Sequence, residues 1–195
     1  MAKSRFQLQQ GSILVATSNF DNSPLVRSVI ILTGHDEDGS RGILINKPLD
    51  RGNISDLIPA CDKKLDQRLY CGGWEYCDQM FSLHKLGDRT LRSATKVTDG
   101  IYTSIDKSEL ERMIHSGNVQ RGTFRIFKGL CTWEKGLLEE EMYEGSWIVK
   151  KVTQNFLSKV FKPECDASIW SDYANSDDFM IENISRMLMK TTAKN

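Results

Sequence analysis

The sequence lacks an excess of either charge. Its 195 residues carry 26 lysines and arginines against 26 aspartates and glutamates. That balance argues against a dedicated nucleic-acid coat or a basic membrane-surface protein, though a local patch remains open. Histidine is scarce: His35, His84 and His115 are the only three. No HExxH or CxxC pattern gathers them with cysteines or carboxylates, so neither a metal nor another cofactor is expected. The cysteine count is odd, at five, which suits free thiols in a reducing compartment better than a disulfide framework. No GxGxxG or Walker-type loop occurs. Helix-turn-helix, zinc-finger and RNP signatures are also missing, which leaves direct DNA binding weakly supported. No apolar run is long enough to span a bilayer, and the opening MAKSRFQLQQGSILVA has no signal-peptide core. The expectation is a cytoplasmic protein without membrane contact.

What is present centres on Arg27–Pro48, RSVIILTGHDEDGSRGILINKP. Two apolar runs, Val29–Leu32 and Ile43–Ile45, flank a polar Asp-Gly segment, and this reads as a β-hairpin. The runs are continuous rather than alternating, so both faces should be covered. Pro48 is read as closing the hairpin, because proline cannot donate to a continuing ladder. Around it the spacing predicts strands at 11–17, 67–71, 79–84, 100–104, 121–128 and 146–150. One weak helical turn follows Asn53, and residues 86–98 are ambiguous. Asp106 with Glu109 resembles a capping box, opening a helix with Leu110, Met113 and Ile114 inward and Gly117 ending it. Residues 129–145 read as a loop leading to a short helix through Leu137 and Met142. A helix over 152–161 and a tail helix over 177–191 follow, with Trp170 and Tyr173 packing back on the core. No internal repeat or composition break divides the chain.

Several spaced segments together resemble the AlgH/YqgE family. They are Gly11–Ala16, Arg27-Ser28-Val29, His35, Gly39-Ser40, Gly42–Pro48, Gly72-Gly73, Leu83-His84, Gly129, Trp133, Gly136, Leu138-Glu139, Glu141 and Trp147. Their order fits from about residue 11 to about 170. The chain departs from the family pattern at Trp74, where proline is usual. It also departs at Leu130, Thr132 and Leu137, where the family carries tyrosine, glycine and glutamine; Cys131 takes the family's small-residue position. The resemblance implies a single α+β domain over residues 1–195, with a core at about 11–170. Its sheet would be bifurcated, partly barrel-like and mixed, with flanking helices. The family is named for a proposed regulator of alginate-gene transcription and brings no established reaction with it.

Eight residues stand as candidates for ligand or partner binding: Arg27, His35, Asn46, Gly72, Gly73, His84, Trp133 and Glu139. Arg27 and Asn46 flank the hairpin, where they can hold an anion or simply tie loops through backbone carbonyls. Gly72-Gly73 can cradle an anion with its amides, but reads first as a tight turn with positive φ. His35 and His84 read as histidines held by hydrogen bonds. Cys131, beside Trp133, reads as a small filler rather than a nucleophile. Of Glu139, Glu140 and Glu141, adjacent on a helix, at most two can serve one site, and Glu139 matches the family's glutamate after leucine. No catalytic constellation emerges. The leading reading is a regulatory or interaction protein acting through an unidentified protein partner. The alternative is a binder of a small anion or nucleotide, or a cryptic enzyme. A pocket gathering the candidate residues would favour the alternative, and a flat apolar patch the leading reading.

Overall fold

The central hairpin forms as its residues require. In a computed structural model, which describes residues 8–59, 61–87, 92–104, 107–115, 119–162 and 166–174, strand β2 (Val29–Asp36) pairs antiparallel with β3 (Gly39–Leu44), and Ile31 lies opposite Ile43. Both faces are covered. Ile31, Ile43 and Ile45 point into one cluster with Phe127 and Val160; Ile30, Leu32 and Leu44 point into another with Trp133 and Trp147. A strand buried on two sides has no polar face to show, which explains the unbroken apolar runs.

β1 (Ile13–Ala16) joins β2 on one side and β10 (Trp147–Lys150) beyond it. On the other side β3 meets β9 (Phe124–Glu134), the longest strand, which also pairs with β6 (Glu75–His84) and, in parallel, with β5 (Arg68–Cys71). β9 is therefore the fork of the sheet. β8 (Ile101–Ser104) and β7 (Thr95–Thr98) extend the β6 side, and β4 (Pro48–Asn53) pairs with β5. These ten strands are mostly antiparallel and form one mixed sheet. It curls until β7 approaches the start of β1: the Gln10 amide donates to the Lys96 carbonyl, and a Cβ on Gly11 would lie 3.1 Å from Thr98. No strand pairing joins β7 to β1, so the barrel-like curl stays open.

Five helices flank the sheet among the described residues. α1 (Ile54–Leu57) and α2 (Lys107–His115) cover Phe124 and Ile126; α3 (Leu137–Tyr143) covers the face holding Trp133; α4 (Gln154–Lys159) and α5 (Asp166–Ala174) close the other face. No helix among the described residues is long and apolar enough to cross a membrane.

Several expectations need correcting. Pro48 opens a strand rather than ending one; it lies opposite Tyr70, at the first position, where a missing N–H is tolerated. Residues 129–134 are not a loop. Gly129, at φ +81°, lets β9 bend and continue, so Cys131 and Trp133 are strand residues pairing with β3. Glu109 faces the segment ahead of β7. It accepts from the backbone N–H groups of Arg92 and Ser93 and from the Ser93 hydroxyl, while Asp106 lies outside the described residues. Gly117, Cys165 and the expected helix at 177–191 also lie outside them.

Candidate functional site

The tip of the hairpin faces α3. His35 and Ser40 are cross-strand partners, and the His35 Nδ1 lies 2.8 Å from the Ser40 hydroxyl. On its other side, the His35 Nε2 lies 3.7 Å from a carboxylate oxygen of Glu139. Register then carries the site into β9, since Ser40 faces Trp133 and Gly39 faces Glu134. Asp36, Asp38, Arg41, Ser40, Thr132 and Trp133 border a cleft of 270 Å³ open to solvent.

Trp133 is held from three directions. Its indole N–H donates to Glu141 at 2.9 Å, and the Trp147 indole N–H donates to the same carboxylate oxygen at 2.7 Å. Trp74 meets its ring edge-on at 5.3 Å between centroids, and Trp147 meets it at 6.4 Å. Glu141 is thus the structural carboxylate of the three consecutive glutamates, and Glu139 is the one turned to the hairpin. Bonds from two nearly buried indoles fix α3 against the sheet.

Ser40, His35 and Glu139 form a hydroxyl–imidazole–carboxylate row. A nucleophile must be reachable and needs donors aimed at the developing oxyanion. Ser40 is only 3% exposed, so the row reads as a brace for the hairpin tip. Cys131 is fully buried beneath it, and burial pushes its thiol well above the usual range. It is the filler its position suggested.

Gly72 and Gly73 are glycines for a different reason from the one expected. Neither has positive φ. They press against β9 so closely that a Cβ on Gly72 would lie 2.3 Å from the Gly129 carbonyl oxygen, and one on Gly73 would lie 2.0 Å from the Leu130 carbonyl carbon. The Gly72 N–H donates to the Lys128 carbonyl, so this amide is not free to hold an anion.

Arg27 and Asn46 do meet, but at the open end of the hairpin. The Asn46 side chain donates to the Arg27 carbonyl at 2.8 Å and accepts from the Val29 N–H at 2.9 Å. These bonds fasten Arg27 in a left-handed conformation, φ +55°. The Arg27 guanidinium itself lies over the Trp170 ring at 5.6 Å. Of the two readings offered for this pair, the loop tie is the one the geometry matches.

His84 lies apart again. It sits at the end of β6 opposite Phe124, nine residues along β9 from Trp133 and therefore up to about 30 Å away. It is fully buried and stacked on Tyr102; its Nδ1 accepts from the Leu86 N–H, and its Nε2 has no hydrogen-bond partner among the described residues. Burial lowers its pKa to about 4.

Sequence reading missed one cluster. Arg125, 1% exposed, donates to the carbonyls of Ile45 and Lys162, pairs with Asp166 at 3.2 Å and lies 4.1 Å from the Tyr70 ring centre. The Tyr70 hydroxyl donates to the other Asp166 oxygen, and burial pushes that hydroxyl up to about 12. The only signal was a charge between Phe124 and Ile126 in a strand with buried neighbours. Among the described residues no group of histidines, cysteines and carboxylates is arranged to hold a metal ion.

Of the eight candidates, the structure brings together His35, Trp133 and Glu139. Arg27, Asn46 and His84 lie elsewhere, Gly72 and Gly73 press against β9, and of the eight only Trp133 borders the cleft itself. A curled, forked α+β sheet with an open cleft at one hairpin tip defines the class of protein. The model of the AlgH-like family (DUF179) matches residues 13–179, and this chain belongs to that family. It is 31% identical to a UPF0301 protein of Chlorobaculum tepidum over 84% of each chain. It is 33% identical to a UPF0301 protein of Parabacteroides distasonis over 76% of this chain and 75% of that one. Its fold is shared with the AlgH protein of Pseudomonas aeruginosa (TM-score 0.68, 22% identity, 93% of this chain and 97% of that one). A protein of Corynebacterium diphtheriae is similar to the same degree (TM-score 0.69, 20% identity, 88% of each chain).

Proposed function

We propose that this chain is a regulatory interaction protein that works through a protein partner engaged at the hairpin-tip end. The supporting observation is the setting of the cleft. His35 and Glu139 meet at the same hairpin tip, Trp133 borders the cleft and packs against Trp74, and Trp74 and Tyr76 are 42% and 55% exposed. The polar residues at the open end of the hairpin are instead spent on bonds within the chain. A carboxylate-rich border is the wrong lining for a phosphate or nucleotide, which weakens the small-anion alternative. The same border disfavours DNA, whose binding depends on phosphate neutralisation by lysine and arginine.

Salt-titrated anisotropy with duplex DNA, alongside site-specific photocrosslinking from position 74 in cells, tests this. Duplex DNA is expected to bind no tighter than about 10⁻⁴ M at physiological salt. A crosslinked protein partner is expected from position 74 and not from position 27. Submicromolar DNA binding with a steep salt dependence, or no crosslinked partner, would overturn the reading.

A further inference from the structure

We propose that the hairpin-tip end is a docking face for a lysine- or arginine-rich peptide segment of another protein. This rests on the interaction reading above and names the chemistry of its partner.

Three segments meet at this end: 35–41 in the hairpin, 74–79 at the start of β6, and 133–144 through α3. β3–β9 register joins the first to the third, and the Trp74–Trp133 ring contact joins the second. Three aromatic residues stand out from them, Trp74, Tyr76 and, on α3, Tyr143. Tyr76 has φ +53°, one of two non-glycine residues with positive φ among those described. It lies where β6 bulges away from β9, between Glu75 opposite Leu130 and Met80 opposite Lys128. A left-handed conformation is strained for a non-glycine residue, and leaving large aromatic surface in water forgoes the gain of burying it. Among the described residues only the Trp74–Trp133 ring contact offsets these costs, whereas a partner covering these rings would offset both.

Charge says what kind of partner. The three segments hold ten aspartates and glutamates against Arg41 and Lys135 alone, in a chain whose charges balance overall. Arg41 is already paired with Asp36 at 3.8 Å. Lysine and arginine are the side chains that both answer this field and stack on exposed indole and phenol faces, with their methylene stems covering the rings. Size agrees. At 270 Å³ the cleft falls below the roughly 300 Å³ at which small-molecule pockets begin, which suits one inserted side chain rather than a whole cofactor.

The experiment uses the full chain and a fluorescein-labelled twelve-residue peptide, (Arg-Ser-Leu)₄, with (Glu-Ser-Leu)₄ as its control. The arginine peptide is expected to bind, the glutamate peptide is not, and added salt should weaken the complex. Trp74→Ala, and separately the exposed pair Glu75→Lys with Asp78→Lys, should each weaken binding about tenfold or more; Arg27→Ala, at the far end, should leave it unchanged. Urea melts of each variant establish that it is folded. No binding of the arginine peptide, or equal binding by wild type and both folded tip variants, overturns the proposal. The crosslink from position 74 separates the two levels. A crosslinked partner without arginine-peptide binding sinks this inference and spares the interaction reading; neither result sinks both.

Discussion

The two ends of the central hairpin use the same kinds of residue to opposite effect. At the open end, Asn46 is spent on the Arg27 carbonyl and Val29 N–H, Arg125 on two carbonyls and Asp166, and Lys47 on the Val26 carbonyl. At the tip, His35 is braced by Ser40 and Glu139, yet the cleft beside it opens to solvent and Trp74 and Tyr76 project from the surface. Polar side chains are therefore poor guides to function here unless their partners are known. Those at the open end answer to buried backbone, and those at the tip leave a surface over.

The largest effect expected of this contrast is at the open end. Asp166→Ala strands the Arg125 guanidinium in the interior with its counter-charge gone. Removing one member of a buried pair typically costs about 3–5 kcal/mol, and the carbonyls of Ile45 and Lys162 place this case near the lower figure. Replacing both members, as Arg125→Met with Asp166→Leu, should cost less than Asp166→Ala alone. Denaturant melts decide it. A double variant no more stable than the single one would mean that Arg125 serves mainly as a donor to the two carbonyls. By the same measurement, Ile31→Ala and Leu44→Ala should each cost on the order of 2–5 kcal/mol, because they open cavities on opposite faces of one doubly covered hairpin. Losing little at both positions would contradict the two-sided packing.

How much of this was legible depended on range. The hairpin was readable because its signal is local: apolar runs, a turn and a change of period. The covering of both faces followed from the absence of alternation. The extension of β9 through Gly129 was not readable, since a glycine near the end of an apolar run looks like a stop, and only pairing with β3 carries the strand on. Gly72-Gly73 looked like a turn because paired glycines usually are one. The close approach of Gly129 and Leu130 that requires them comes from residues nearly sixty positions away. Arg125 was hidden for the same reason, as its partners come from β5, the residue after β3, the segment after α4, and α5. At the hairpin tip, His35, Trp133 and Glu139 were singled out through the family resemblance. Glu141, tied to two indoles, carries more of the structure than Glu139 does, and adjacent glutamates on a helix cannot be told apart by spacing.

A pH dependence extends the contrast to β6. In the unfolded chain His84 takes a proton near pH 6.5, while in the folded state burial holds the proton off until about pH 4. Between those values the unfolded state binds more protons, so stability is full above pH 6.5 and falls as pH drops toward 4. The slope is about 1.4 kcal/mol per pH unit, for a loss of about 3 kcal/mol. His84→Phe, which keeps a ring against Tyr102, should flatten the difference between urea midpoints at pH 7.5 and 4.5. An unchanged difference would show that the loss comes from other groups.

The smallest effect is chemical, and it sets the ends apart by access. Cys77 lies in the exposed bulge near Trp74, whereas Cys131 lies beneath Trp133 with its Sγ 3.4 Å from the Gly72 carbonyl. The reacting species is the thiolate. Burial withholds it at Cys131 by raising the thiol and by excluding reagent, so alkylation there has to wait for opening of the β3–β9 layer. With iodoacetamide and no reductant, the native protein should label first at Cys77 and last at Cys131, as read by peptide mass. In denaturant all five cysteines should label, since none is expected to be oxidised in a reducing compartment. Early labelling of Cys131 would mean that the tip is looser than the indole–Glu141 bonds imply. A pair that stays unlabelled in denaturant would mean a disulfide, and the reducing-compartment reading would fall with it.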